Sequence, residues 1–382
     1  MQAERIVARG FRNLTDLDLV LPAAGAVFLG PNGHGKTNLL ELLSYPVLFR
    51  SLRGARDSEV VRHGEAGFQL TLCLGKEQHV EGSRARELSA GYRNAGKKKA
   101  VSVDGAAPDR LADAIGQWLA VAFLPSDLRL VQDAASGRRQ YLDRLLALAD
   151  REYLRALGRY RHALAQRNAA LRQGRRDVAG AFDVELARSG SRLVQRRLAW
   201  VAEHAGRFAD GCVALGEGVQ VGMQYRGDER LAAPDAWPDA LARAASRDDA
   251  LGQTTVGPHR DDLDLRLGGK PLREIGSTGQ HRTAAIALRL EERDTLAAAR
   301  GVEPALLLDD VFAELDRDRQ ERLARALQGG RSGARQVFIT SPRADELPDG
   351  FHLEVLRVER GAVERAGGDA AWRTGRVAEV LP

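Results

Sequence analysis

Cysteine is nearly absent from this chain of 382 residues, and its two cysteines, Cys73 and Cys212, sit in apolar surroundings. That scarcity excludes a disulfide framework and a cysteine-built zinc site, and it suits a reducing compartment. Long apolar runs are missing too; none approaches the ~20 residues that a membrane-crossing helix needs. The opening, Met1-Gln2-Ala3-Glu4-Arg5, runs straight into a strand-like segment rather than a signal peptide. A cytoplasmic protein without a membrane partner is the expectation. Lysine is scarce beside arginine, a bias that GC-rich coding explains as readily as recognition chemistry does.

What remains is an ordinary globular composition, with 44% hydrophobic and 29% charged residues. The length allows two or three domains. Net charge is +5, but its distribution says more. Residues 151–200 hold twelve Arg against four Asp or Glu, a net +8, which leaves about −3 elsewhere by subtraction. Such an excess suits a polyanion partner; the alternative is a solvated helix face.

The stretch Gly30-Pro31-Asn32-Gly33-His34-Gly35-Lys36-Thr37 fits the phosphate-loop pattern G-x-x-x-x-G-K-[ST]. Its glycines let the backbone wrap so that successive N–H groups point at one anion. Lys36 supplies a positive charge for the outer phosphates of ATP, and Thr37 a hydroxyl for Mg²⁺. The apolar residues 26–29 read as the strand before the loop, and residues 37–43 as the helix after it. The helix dipole then favours the phosphates.

Along the chain, residues 4–9 and 15–21 alternate as two strands that share a small sheet with strand 25–29. Residues 67–75 and 77–82 are expected to form a hairpin turning at Gly75. Lys97-Lys98-Lys99 precede a strand at 100–104 and a turn at Asp104-Gly105. From Leu111 the pattern turns helical, with Leu111, Ala112, Ile115 and Leu119 on one face. A long helix is expected over about 138–171 and another over about 182–208. Heptad spacing in both predicts a short antiparallel hairpin. Each arm has about three heptads, roughly 30 Å of rise. A strand at 219–223 and a helix over 231–245 are weaker expectations.

The apolar run Pro304–Leu308 ends in Asp309-Asp310 and reads as a Walker B strand. Asp309 then holds the Mg²⁺ shell, and Asp310 orients the attacking water. Lys36 and Asp310 are the candidate catalytic residues. Glu314-Leu315-Asp316 stands where ABC-type ATPases carry their D-loop. Ser277-Thr278-Gly279-Gln280 opens a helix and resembles the ABC signature, with Thr278 replacing a glycine. In that class the signature of one subunit closes on the γ-phosphate held by another. No histidine follows strand 337–339; Thr340-Ser341 stand there instead. No Q-loop glutamine is evident near Phe49-Arg50-Ser51.

Lys36 and Asp309 must meet at one magnesium ion, so everything between them is an insertion on one ATPase core. This split layout resembles the SMC-like branch of ABC ATPases. Within it the chain resembles the RecF recombination-mediator proteins over residues 3 to about 364. The resemblance rests on Phe11-Arg12-Asn13, Phe49-Arg50-Ser51, Ser136-Gly137-Arg138-Arg139-Gln140-Tyr141-Leu142-Asp143 and Thr255-Val256-Gly257-Pro258-His259-Arg260-Asp261-Asp262. It implies an α/β fold: an ABC/SMC-type P-loop ATPase head with an inserted, mostly helical second domain. The expected division is a head of 1–112 and 255–368, an insertion of 113–254 and a tail of 369–382. The implied role is slow, DNA-stimulated ATP hydrolysis that switches a homodimer on gapped or junction DNA. RecO and RecR are the implied partners in loading recombinase during repair and replication restart. By the same resemblance Arg12 and Asn13 contact nucleotide, as do Ser277, Gly279 and Gln280.

Other readings are a structural SMC-type tether, an ABC transporter subunit and a small-molecule P-loop kinase. Short arms without a hinge oppose the first, the family-specific stretches the second and the signature the third. The basic stretch makes Arg155, Arg159, Arg172, Arg196 and Arg197 candidates for contact with DNA phosphates.

Overall fold

The computed structural model describes residues 2–75, 85–313, 315–328, 336–346 and 353–365. The chain divides into two compact units, Met1–Pro125 with Gly301–Pro382, and Ser126–Arg300. Elements are numbered along the chain.

The first unit holds two sheets. In one, β1 (Ala3–Arg9), β2 (Leu17–Val20), β4 (Gly67–Leu74), β5 (Arg86–Arg93) and β6 (Lys98–Val103) lie in the order β2-β1-β4-β5-β6. All of its pairings are antiparallel. Its strands alternate buried and exposed residues, as one-sided burial requires. In the other sheet, β3 (Gly25–Leu29), β7 (Ala120–Phe123), β11 (Ala305–Asp309), β12 (Val337–Ser341), β13 (Glu354–Glu359) and β14 (Ala362–Arg365) follow the order β14-β13-β3-β12-β11-β7. All but β14 run parallel. Continuous apolar runs such as Leu306-Leu307-Leu308 are what a sheet covered on both faces demands.

Helix α1 (Lys36–Leu48) packs against β7, β11 and β12, and also touches β4 and β5. Leu39, Leu40, Leu42 and Leu43 are all buried, so no polar face remains. Each such leucine contributes roughly 1.5–3 kcal/mol of burial free energy. The short helices α2 (Asp57–Val60) and α3 (Leu111–Ala114), and α12 (Arg317–Gln328), complete this unit.

The second unit is mainly helical: α4 (Leu128–Gln132), α5 (Ala135–Ala149), α6 (Arg151–Arg172), α7 (Arg176–Gly180), α8 (Asp183–Ala214), α9 (Trp237–Leu251), α10 (Leu272–Ile275) and α11 (Thr278–Arg300). A small sheet of β8 (Val221–Arg226), β9 (Asp262–Leu267) and β10 (Lys270–Pro271) lies within it. Helices α6 and α8 pack together, joined through α7. Tyr153, Leu157 and Tyr160 of α6 and Val194, Val201 and Phe208 of α8 are buried.

Several expectations change. Strand β3 leaves the sheet of β1 and β2 and lies between β13 and β12; its unbroken apolar run suits two covered faces rather than one. The helical pattern at Leu111 lasts four residues, and 120–123 then form strand β7 beside β11. The expected boundary at 112 falls before that strand, whereas the compact unit runs to Pro125. Residues 255–300, expected in the head, group with the helices. The long helix over 138–171 is two, broken at Asp150, whose side chain caps α6 by accepting from Glu152 N. Residues 77–82 and Glu314 lie outside the described residues, as does the tail at 369–382; the described partner of β4 is β5.

Candidate ATP site

Strand β3 ends at Leu29, and the chain then turns through the loop into α1. At Gly30 a Cβ would lie 2.1 Å from Val358 O of β13, so only glycine lets the loop start this close to the sheet. At Gly35, the residue before α1, φ is +111°, a left-handed conformation that glycine adopts without strain. Gly33, with φ +81°, faces open space. The first N–H groups of α1 are therefore presented past the C-terminal end of β3, as an anion site needs.

Lys36 donates from Nζ to Gly30 O at 2.5 Å and Pro31 O at 2.9 Å, with Asn32 Oδ1 at 3.4 Å. Its ammonium thus rests on the loop's own carbonyls. Burial pulls its pKa below the ordinary lysine value, while Asp310 and Asp309 pull it back up. Thr37 Oγ1 donates to both oxygens of Asp309, at 2.9 and 3.0 Å. Residues 272 positions apart thereby meet, as one magnesium ion requires. A hydroxyl and a carboxylate in contact fit a hard cation that takes oxygen ligands and completes its shell with phosphate and water.

Asp310 follows directly, with φ +51° and its N–H donated to Thr340 Oγ1 at 3.0 Å. The Thr340 hydroxyl in turn donates to Asp309 Oδ1 at 2.7 Å. One threonine near the end of β12 thus bonds the Asp309 carboxylate and the Asp310 backbone. In the sequence Thr340 registers only as the absence of a histidine. Its signal was a polar residue ending an apolar strand that is parallel to the Walker B strand.

Asn13 lies against the loop, donating to Gly33 O at 3.1 Å and accepting from Asn38 at 2.7 Å. Arg12 is placed differently. Its guanidinium makes a two-bond ion pair with Glu41 of α1, at 2.9 and 2.8 Å, and a third bond to Glu59 O at 2.8 Å. Arg53 and Ser51 also bond that buried carboxylate. Arg12 braces the helix behind the loop. The turn between β13 and β14 supports the loop from another side: Gly361 N donates to His34 O at 2.9 Å, and Arg360 N lies 3.3 Å from His34 Nδ1. Arg360 and Gly361 both have positive φ.

In the second unit, Ser277 and Thr278 are exposed at the start of α11. Ser277 N donates to Gln280 Oε1 at 2.9 Å, and Gln280 N donates to Ser277 Oγ at 3.3 Å. This is a reciprocal capping box. It leaves the serine hydroxyl proton free to donate outward. Asp316 similarly caps α12 by accepting from Arg319 N at 2.9 Å.

The arginines proposed for DNA separate. Arg155, Arg159 and Arg172 are exposed. Arg196 pairs with Asp150 at 2.8 Å. Arg197 is only 2% exposed, so its assignment to DNA contact is corrected. It donates to Asp143 at 2.7 Å, Tyr153 OH at 3.1 Å and Pro258 O at 2.6 Å. Burying a guanidinium demands such partners. Two of the four stretches that carried the family resemblance meet here. Arg138 makes a two-bond pair with Asp262, Arg139 donates to Asp261 O, and Asp143 serves Arg197. His259 accepts from Tyr160 OH through Nδ1 and donates through Nε2 to Thr254 O. That tautomer is neutral, and burial pushes its pKa down to about 4. His259 is an interior strut.

Comparison with known proteins agrees with this geometry. The family model described as RecF/RecN/SMC N terminal domain matches residues 2–362. The DNA replication and repair protein RecF of Synechocystis is 33% identical, with 95% of this chain and 98% of that protein covered. The one from Anaeromyxobacter dehalogenans is 39% identical over 80% and 84%. The chain belongs to the RecF family. A solved structure of the recombination mediator protein RecF with ATP, in the RecFOR pathway, superposes with a TM-score of 0.85 at 27% identity, covering 96% of this chain and 98% of that one. An Smc head at 13% identity, TM-score 0.55, shares the fold. The chain is an ABC-type ATPase of DNA replication and repair, and the alternatives of a transporter subunit and a structural tether are set aside.

Proposed function

We propose that two copies of this chain pair across ATP, the phosphate loop of one meeting the exposed Ser277 turn of the other. The observation that carries the reading is the capped, outward-facing Ser277–Gln280 turn, a second anion site at a helix N-terminus. Gly30 to Thr37 would hold the triphosphate, with Asn13 steadying the loop through Gly33. Thr37 and Asp309 would hold Mg²⁺, which neutralises phosphate charge when bound. Asp310, whose backbone N–H is held by Thr340, would orient the attacking water. Its side chain is one methylene shorter than glutamate, in keeping with slow turnover. Each monomer alone supplies half of the donors, so nucleotide loading and dimerisation are linked.

Relatives named for replication, repair and the RecFOR pathway support a role at gapped or junction DNA, with RecO and RecR as partners in loading recombinase. Phosphate contact by exposed arginines such as Arg155, Arg159 and Arg172 fits such a substrate. The cytoplasm, where the chromosome lies, is the compartment this role requires. The test pairs an ATPase assay, with and without gapped duplex DNA, with gel filtration in ATP. Turnover that rises with DNA and a dimer that forms with ATP are the expected results. A chain whose turnover and mass ignore both ligands would contradict the reading.

A further inference from the structure

Helix α8 ends in a Schellman turn. Gly216, with φ +98°, donates N–H to Val213 O at 2.9 Å, and Glu217 N donates to Cys212 O at 3.0 Å. The residue in the position of Glu217 is ordinarily apolar, because it packs against the last helical turn. Here it is a glutamate only 7% exposed. Its Oε1 accepts from Val219 N at 3.2 Å and from Gln280 Nε2 at 3.2 Å. Its Oε2 is buried and has no hydrogen-bond partner among the described residues. The turn does not need an acid, and half of the carboxylate is left unsatisfied, which costs stability.

We propose that Glu217 is a positioning residue for the signature turn. Gln280 uses its amide oxygen on Ser277 N and its amide nitrogen on Glu217. The carboxylate thereby fixes which way the glutamine amide faces. With the amide turned over, its NH₂ group would meet Ser277 N–H, donor against donor, and the capping box would open. Glu217 holds the serine loop in the shape that meets a triphosphate on a second copy. This rests on the sandwich reading above.

Glu217→Leu supplies the apolar residue the turn ordinarily takes. The full chain with this change should melt at or above the wild-type temperature. Its ATP-driven dimer should nevertheless weaken about tenfold, as for one lost hydrogen bond, and kcat should fall with KM for ATP little changed. Glu217→Gln, which can still accept from Gln280, should restore both. Combined with Gln280→Ala, Glu217→Leu should add no further loss, since the two act as one unit. Amide exchange at Ser277 and Gln280 in the nucleotide-free chain should speed up in Glu217→Leu. Exchange left unchanged, or wild-type dimerisation by Glu217→Leu, would overturn the proposal. A wild-type chain that fails to dimerise with ATP would instead overturn the sandwich reading, and the exchange measurement would still decide the role of Glu217.

Discussion

At the phosphate loop the site is built from consecutive residues, Gly30 to Thr37, acting largely through their own backbone. In helices α6 and α8 the buried arginines are paired by groups far along the chain. Arg197 is paired by Asp143, 54 positions away, and Arg167 by Asp248, 81 positions away. A window of sequence contains the first site whole. It omits several of the carboxylates that neutralise the second, so the +8 counted over 151–200 overstates the charge on the surface. Arg161, Arg176 and Arg196 also have carboxylate partners outside that window. Local backbone chemistry survives projection onto a sequence, and charge balance does not.

The largest expected effect separates buried from exposed arginine. Arg197→Ala leaves Asp143 without its main buried counter-charge, and it should cost about 3–5 kcal/mol in urea unfolding. Unchanged stability together with weaker DNA binding would put Arg197 back on the surface. Next comes the loop: Lys36→Ala should weaken ATP binding about 100-fold in a fluorescent-nucleotide titration, while leaving the melting temperature nearly unchanged. Asp310→Asn should still bind ATP yet accumulate as the dimer, with turnover falling by about the same factor. Normal turnover in that variant would remove Asp310 from its water-orienting role.

A third prediction concerns the polar interior of the second unit. Burial raises Asp261 to about 6 and lowers His259 to about 4. Asp261 therefore contributes stability below its unfolded pKa that is lost as pH rises through about 6. His259 contributes stability above its unfolded pKa that is lost as pH falls through about 4. The two slopes oppose each other between those values. Asp261→Asn should expose the histidine's slope, so that stability falls by roughly 1–3 kcal/mol from pH 6.5 to 4 more than in the wild type. A parallel pH profile in both proteins would contradict it.

The smallest effect is at the surface. Changing Arg155 and Arg159 together to alanine should shift stability by less than about 0.5 kcal/mol. The slope of log affinity for DNA against log salt should fall by about 1–2. An unchanged slope would place the DNA elsewhere.

The ATPase core was legible for a physical reason. Glycine spacing, an apolar strand before it and a strand ending in Asp309-Asp310 each encode local geometry. The pairing of Thr37 with Asp309 follows from shared metal chemistry. What could not be read depended on tertiary partners. Strand β3 chose the parallel sheet because both its faces are covered, which single-strand alternation does not report. Strand β7 is too short to outweigh the helical spacing before it. Arg12 carries no mark that Glu41 would claim it. Thr340 gained its role from the acids beside it, not from its own neighbours in sequence.

The most direct test mixes two inactive forms, Lys36→Ala and Ser277→Arg. In a pair formed by one of each, the intact loop of one copy faces the intact serine turn of the other. Random pairing should then recover roughly a quarter of wild-type ATPase activity, one working site in half of the dimers. A mixture no more active than its separate components would contradict a site shared between two copies.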